Sequence, residues 1–198
     1  IGLFYAAMTA YLGFRPNDQE CSVMALAAFG QPRYTKELRR VVRVSQDGNI
    51  EITRGYFDLF AGGRKLFRRP LVDLLGPPRA WNTPLPFDAL TDMSHEYKPS
   101  EDAQRYADIA ASAQSVLEDA ILQLAVRLRQ RTGLSRLCYA GGVALNAVAN
   151  TRLAQESGFE DVFIPPDPGD GGAAIGAAAY AHFEHHGNSA RAAVSPYT

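Results

Sequence analysis

The last third of the sequence alternates short apolar runs, glycine turns and helical patterns, and this order most constrains the fold. The uncharged run 137–140 ends at Gly141-Gly142, and a helical pattern follows over 143–156. A second run, 161–164, leads through a Pro-rich loop and the turn 169–172 into an Ala-rich helical pattern over 173–186. Strand and helix patterns in alternation predict the α/β class, with ligands outside the carboxyl ends of parallel strands.

The rest of the chain supplies helices and a hairpin. Residues 1–30 predict two helices around the polar turn 15–18, with Gly30 as a C-terminal stop. Period-2 apolar residues on both sides of Asp47-Gly48-Asn49 predict a hairpin. Ser100 is placed to cap a long helix that ends at Thr132-Gly133, with one apolar stripe facing a core. Between them, Pro84, Pro86 and His95 lie in an irregular segment, and we assign His95 no role.

Composition excludes several classes of protein. With 198 residues, 46% of them apolar and 21% charged, the chain has the make-up of a packed soluble domain rather than a disordered one. A net charge of -1 argues against a general nucleic-acid binder. The sequence contains no uninterrupted apolar run of about 18 residues, so we predict no membrane span. No secretory address can be read from these residues. Cys21 and Cys138 lie in apolar stretches, so we expect buried thiols in a reducing, cytoplasmic compartment.

Charge is unevenly distributed along the chain. Between Arg33 and Arg69 there are ten Lys or Arg residues and four Asp or Glu residues. A solvated surface is the ordinary interpretation. The alternative is a docking surface for phosphate-bearing substrates or for a partner domain.

The first glycine turn is a candidate ligand site. Between a strand and a helix, Gly141 and Gly142 would let a phosphate or ribose approach the backbone. Asn146, expected one turn into the helix, could aim its amide at the same ligand. Alternatively, the glycines only form a tight turn. The segment is not a P-loop, because GxxxxGK[ST] is absent.

The second glycine turn, Gly169-Asp170-Gly171-Gly172, superficially matches a dinucleotide fingerprint. No acidic residue follows about 20 positions later, so a Rossmann fold is disfavoured. Asp170 could be a helix N-cap, a metal ligand or a Mg-phosphate anchor, and its spacing favours the cap.

Other polar side chains are weaker candidates. His182, His185 and His186 lie near the end of the last helix, where a solvated face is the ordinary interpretation, although His182 and His186 have metal-compatible spacing. Gln114 and Glu118 share one face of the long helix. Most glutamates in such positions are merely solvated.

Three segments carry a resemblance to a known family. The runs "CYAGGVALN" and "PGDGGAAIGAA", with "SVMALAAFG" after "AYLGF", resemble the O-carbamoyltransferases of the nodulation protein U and antibiotic-tailoring type. More distantly, they resemble the threonylcarbamoyl-transferring tRNA-modification ATPases. The resemblance runs nearly end to end. Family members usually have Gly-Leu-Ala-Pro-Tyr-Gly where residues 25–30 are Ala-Leu-Ala-Ala-Phe-Gly.

The resemblance implies an actin-like ATPase fold of two ribonuclease-H-like lobes, with a mixed sheet and helices on both faces. Residues 1–198 would form a single fragment, most of the second lobe, without the N-terminal lobe and the YrdC-like domain. In the family, carbamoyl phosphate and ATP give carbamoyl-adenylate on the YrdC-like domain. The actin-like domain then passes the carbamoyl group to a hydroxyl of a small molecule or sugar.

The resemblance also implies site residues. Gly141, Gly142 and Asn146 match the nucleotide-contacting turn, and we extend this prediction to Gly171 and Gly172. Glu118 would reach the ribose, as helices at this position of actin-like folds often do. Asp170 matches a ligand of a divalent metal, Fe or similar, whose other ligands, largely histidines, would lie outside this chain.

Two other functions remain open. One is a non-catalytic actin-like module that binds ATP without transferring a group. A sugar kinase is less favoured, because no catalytic aspartate is evident. An upstream HxxxH segment and a downstream YrdC-like domain in the full-length protein would favour the transferase.

Overall fold

The computed structural model describes residues 1–45, 47–59, 66–83 and 100–187. The described residues form seven α-helices, four strands and two 3₁₀ helices. In chain order these are α1 (Gly2–Tyr11), α2 (Glu20–Ala27), α3 (Thr35–Val41), β1 (Val42–Val44), β2 (Ile50–Ile52), a 3₁₀ helix (Arg54–Tyr56), α4 (Arg69–Leu75), α5 (Glu101–Thr132), β3 (Arg136–Cys138), a second 3₁₀ helix (Gly142–Leu145), α6 (Ala147–Glu156), β4 (Asp161–Phe163) and α7 (Gly172–His186). Pro84, Pro86 and His95 lie outside the described residues.

Helix α5 is the central element, and its predicted ends are confirmed. The Ser100 hydroxyl accepts a hydrogen bond from the Ala103 N–H at 3.2 Å, and Gly133 ends the helix at φ 67°. All eight residues 107–114 are buried, because α1, α2, α3 and α6 surround this part of the helix. The prediction of a single buried stripe was therefore too narrow.

One helix of the described chain, again α5, is long and apolar enough to cross a membrane by length and composition alone. Its most apolar window is 56% buried within the fold. Burial of this kind is typical of a core helix.

Gly30 has a different role from the predicted one. Helix α2 ends at Ala27, three residues earlier, so Gly30 does not stop it. A Cβ atom at Gly30 would lie 2.0 Å from the carbonyl oxygen of Ala107 on α5. Glycine is therefore required here for the close approach of this segment to α5.

The predicted hairpin is confirmed, and the basic region around it contains two helices that the pattern did not predict. Strands β1 and β2 pair antiparallel with Val44 opposite Ile50. Helices α3 and α4 have seven residues each, which is too short for a clear helical period. Four exposed arginines of this region form ion pairs with acidic side chains at 2.5–3.3 Å, which is typical of a solvated surface. These pairs are Arg39–Asp119, Arg43–Glu51, Arg68–Asp58 and Arg69–Asp73.

Strands β3 and β4 pair in parallel, with Leu137 opposite Val162 and Cys138 opposite Phe163. The first pair packs against the core, whereas Cys138 and Phe163 are exposed on the other face. Cys21 is exposed too, so the prediction of two buried thiols was wrong. Apolar neighbours in sequence do not bury a residue on the uncovered face of a strand.

The α/β class is confirmed. In the described part of the chain the strands form two separate two-stranded sheets, β1–β2 and β3–β4. The larger mixed sheet of an actin-like lobe stays a prediction.

Candidate nucleotide site

The two glycine turns lie side by side at the carboxyl ends of β3 and β4. The Gly141 N–H donates to the carbonyl oxygen of Pro168 at 2.7 Å, which joins the first turn to the loop before the second. A Cβ atom at Gly169 would lie 3.4 Å from Cδ1 of Leu145. The prediction that both turns belong to one unit is therefore confirmed, and the position is where α/β sheets bind ligands.

The first turn is open above both glycines. Gly141 has φ 110°, a conformation that strains any residue with a side chain. Gly142 does not have a positive φ, and a Cβ atom at either position would have no neighbour within 4 Å. A tight turn thus explains glycine at position 141 but not at position 142. Open space above Gly142 suits a ligand that contacts the backbone.

The glycines of the second turn have a local reason. A Cβ atom at Gly171 would lie 2.0 Å from Oδ2 of Asp167, and one at Gly172 would lie 2.0 Å from the carbonyl oxygen of Asp167. The Asp167 carboxylate also accepts the Gly169 N–H at 3.2 Å. The loop therefore folds onto its own glycines, and nucleotide contact by Gly171 and Gly172 stays a prediction.

Asp170 is not the helix cap that its spacing favoured. Helix α7 begins at Gly172 with Gly171 as its N-cap residue, and no side chain caps it. Asp170 is exposed, and its carboxylate has no hydrogen-bond or ion-pair partner among the described residues. It is chemically suited to be one metal ligand. However, the described residues contain no group of three or more His, Cys, Asp or Glu side chains that could hold a metal, so they do not complete a site.

Asn146 starts helix α6 instead of lying one turn inside it. The 3₁₀ helix Gly142–Leu145 comes first, so the predicted helix from position 143 begins late. The Asn146 side chain is 8% exposed, and its Oδ1 accepts the Ala149 N–H at 3.0 Å. Its amide also exchanges two hydrogen bonds with Gln114, from Nδ2 to Oε1 at 2.9 Å and from Gln114 Nε2 to Oδ1 at 3.0 Å.

Gln114 connects this pair to the core. The Tyr5 hydroxyl donates to its Oε1 at 2.7 Å, and its Nε2 donates to Glu118 Oε1 at 2.7 Å. Burial raises the pKa of the Tyr5 hydroxyl, which keeps it a donor. The sequence placed Gln114 and Glu118 on one face but gave Gln114 no role. It gave no signal for Tyr5, because the two partners are 109 residues apart.

Glu118 is not a solvated residue. Its side chain is 15% exposed, and its second oxygen lies 3.6 Å from the guanidinium of Arg152 on α6. Arg152 also pairs with Asp119 at 2.7 Å, and this hydrogen bond is the main cause of its raised pKa. These ion pairs hold α6 against α5. Contact between Glu118 and a ribose stays a prediction.

Two histidines of α7 have described side chains, His182 and His185. The ring of His182 lies edge-on to that of Phe183, with centroids 5.9 Å apart. His185 is exposed.

Together these features define an α/β module whose parallel strands present two adjoining glycine turns, with a buried polar cluster beneath the first. The chain belongs to the carbamoyltransferase N-terminus family, whose model matches residues 1–179. The resemblance found in the sequence is thereby confirmed.

Relatives of several kinds share this region. An uncharacterized protein of Synechocystis sp. is 40% identical over 179 residues, covering 90% of this chain and 26% of the relative. Nodulation protein NolO of Bradyrhizobium diazoefficiens is 32% identical over 178 residues, covering 90% of this chain and 27% of its own length. Nodulation protein U of the same organism is 39% identical over 80 residues, covering 38% of this chain and 14% of its own length. The chain thus spans about a quarter of the length of the Synechocystis protein and of NolO.

Proposed function

We propose that this chain holds the nucleotide in an ATP-dependent O-carbamoyltransferase. The enzyme would move a carbamoyl group from carbamoyl phosphate, activated with ATP, to a hydroxyl of a small molecule or sugar. The observation that carries the proposal is Gly142, whose open surroundings give no packing reason for glycine. Family membership supports the reaction class.

Each proposed contact uses a group of this chain. The backbone at Gly141 and Gly142 would lie against a phosphate or ribose, because no side chain keeps the ligand away. Glu118 would accept a hydrogen bond from a ribose hydroxyl, and Gly171 and Gly172 would contribute backbone contacts. Asn146 would serve mainly by starting α6, since its Oδ1 already accepts from Ala149. Activation of the carbamoyl group with ATP would take place on the YrdC-like domain, as the resemblance implies.

A divalent metal, Fe or similar, belongs to the same proposal. Asp170 would be one ligand, because its exposed carboxylate is not used as a helix cap. The other ligands would come from outside this chain.

The proposal also fixes the surroundings in which the enzyme works. Its partners would be carbamoyl phosphate, the hydroxyl acceptor, an N-terminal lobe and a YrdC-like domain, without nucleic acid or membrane. A cytoplasmic location follows from the need for ATP. The exposed arginines described between Arg33 and Arg69 would contact either a phosphate-bearing substrate or one of those domains.

A transfer assay tests this function. The full-length protein is incubated with radiolabelled carbamoyl phosphate and a panel of aminoglycosides and sugars, with and without ATP. We expect labelled carbamate ester only when ATP is present. ATP binding without transfer to any acceptor would favour the non-catalytic module, and transfer that ignores ATP would contradict the proposal.

A further inference from the structure

The Gln114–Asn146 pair has one possible orientation. Glu118 is a carboxylate and only accepts, so the Gln114 nitrogen must face it. Tyr5 donates its hydroxyl proton to the Gln114 oxygen on the other side. The Gln114 amide is therefore fixed by its neighbours, and it fixes the Asn146 amide in turn.

Asn146, through its backbone, and Asn150 of α6, through its side chain, hold the 3₁₀ helix that follows the first glycine turn. The Asn146 N–H donates to the Val143 carbonyl oxygen at 3.0 Å and closes the 3₁₀ helix that follows Gly141. Nδ2 of Asn150, one turn further along α6, donates to the carbonyl oxygen of Ala144 at 2.7 Å. The position of Asn146 thus determines where the open surface above Gly142 lies relative to α5.

We propose that Gln114 is a positioning residue for the nucleotide site. At 5% exposure it does not touch the nucleotide; it acts through Asn146, whose amide it holds in the orientation that starts α6 and closes the turn. A binding turn held to within a fraction of an ångström depends on such supporting contacts. This inference rests on the proposed function, because it assigns a role in the same nucleotide site.

Two variants break the same contact in different ways. Gln114→Met keeps the length of the side chain but removes both amide partners of Asn146. Asn146→Asp keeps the cap of α6, because Asp caps about as well as Asn, but it loses the Nδ2 donor to Gln114. If Gln114→Met fails to fold, Asn146→Asp still tests the contact.

Ser112→Ala is the matched control. Ser112 is fully buried on the same helix, and its hydroxyl accepts the Tyr34 N–H at 2.9 Å, away from the glycine turn. This variant loses a buried hydrogen bond of similar kind, so it measures what general destabilisation does to binding.

The measurement is calorimetric titration of the full-length proteins with ATP, together with urea unfolding of each. We expect the Kd for ATP to rise roughly 10-fold in Gln114→Met and Asn146→Asp. In Ser112→Ala the Kd should be unchanged, although the free energy of unfolding falls by a similar amount. The double variant should bind ATP with the same affinity as the single variant that binds it less tightly, because both substitutions remove one contact. Unchanged affinity in both variants, or additive losses in the double variant, would overturn the inference. Failure of the wild-type protein to bind ATP would instead overturn the proposed function.

Discussion

Asp170 in the second glycine turn and Asp167 in the loop before it have different surroundings. The Asp167 carboxylate accepts the Gly169 N–H and lies against Gly171. The Asp170 carboxylate is exposed and has no polar partner in the described ranges. A structural role therefore belongs to Asp167, and Asp170 remains available to bind a ligand.

Asp170→Asn separates a metal ligand from a structural residue. A carboxylate neutralises metal charge and fixes geometry, so in the full-length protein the variant should lose most bound metal and nearly all transfer activity. Helix content should not change, because Gly171 is the N-cap residue of α7. Elemental analysis, transfer rate and circular dichroism are measured on one preparation. Metal content and rate close to those of the wild type would exclude the ligand role.

Several helices of the fold pack around α5. A Cβ atom at Gly30 would lie 2.0 Å from the Ala107 carbonyl oxygen, so Gly30→Ala must push the segment after α2 away from α5. We expect a loss of about 1–3 kcal/mol in the free energy of unfolding, as overpacking costs. The matched control is Gly55→Ala, which adds the same methyl group with nothing within 4 Å. Equal urea midpoints for the two variants would contradict this packing.

The same elements show what the sequence could and could not predict. The caps of α5 and the strands β3 and β4 depend on neighbouring residues, and their patterns predicted them. The polar cluster joins Tyr5, Gln114 and Asn146 across 109 and 32 positions, and no local pattern reports such contacts. Exposure of Cys138 depends on which face of a strand is covered, which the composition of the run does not reveal.

The chain spans 26% of the Synechocystis relative and 27% of NolO. The described residues do not complete a metal site, and the resemblance places the YrdC-like domain elsewhere. We therefore expect no carbamoyl transfer by the 198-residue chain alone when it is given carbamoyl phosphate, ATP and an aminoglycoside. Turnover comparable to that of the full-length protein would show that this chain holds the complete machinery.

If the first glycine turn holds ATP, Gly142→Val in the full-length protein should lose ATP affinity, which calorimetric titration measures. Space above Gly142 is open and its φ is not positive, so the valine should leave the fold intact while it fills the place of the nucleotide. Gly55→Val is the matched control, since a Cβ atom there also meets nothing within 4 Å and the position lies outside the site. We expect ATP affinity to fall by roughly 100-fold or more in Gly142→Val and to stay unchanged in Gly55→Val. Wild-type affinity in Gly142→Val would contradict the account and reduce the turn to a link between a strand and a helix.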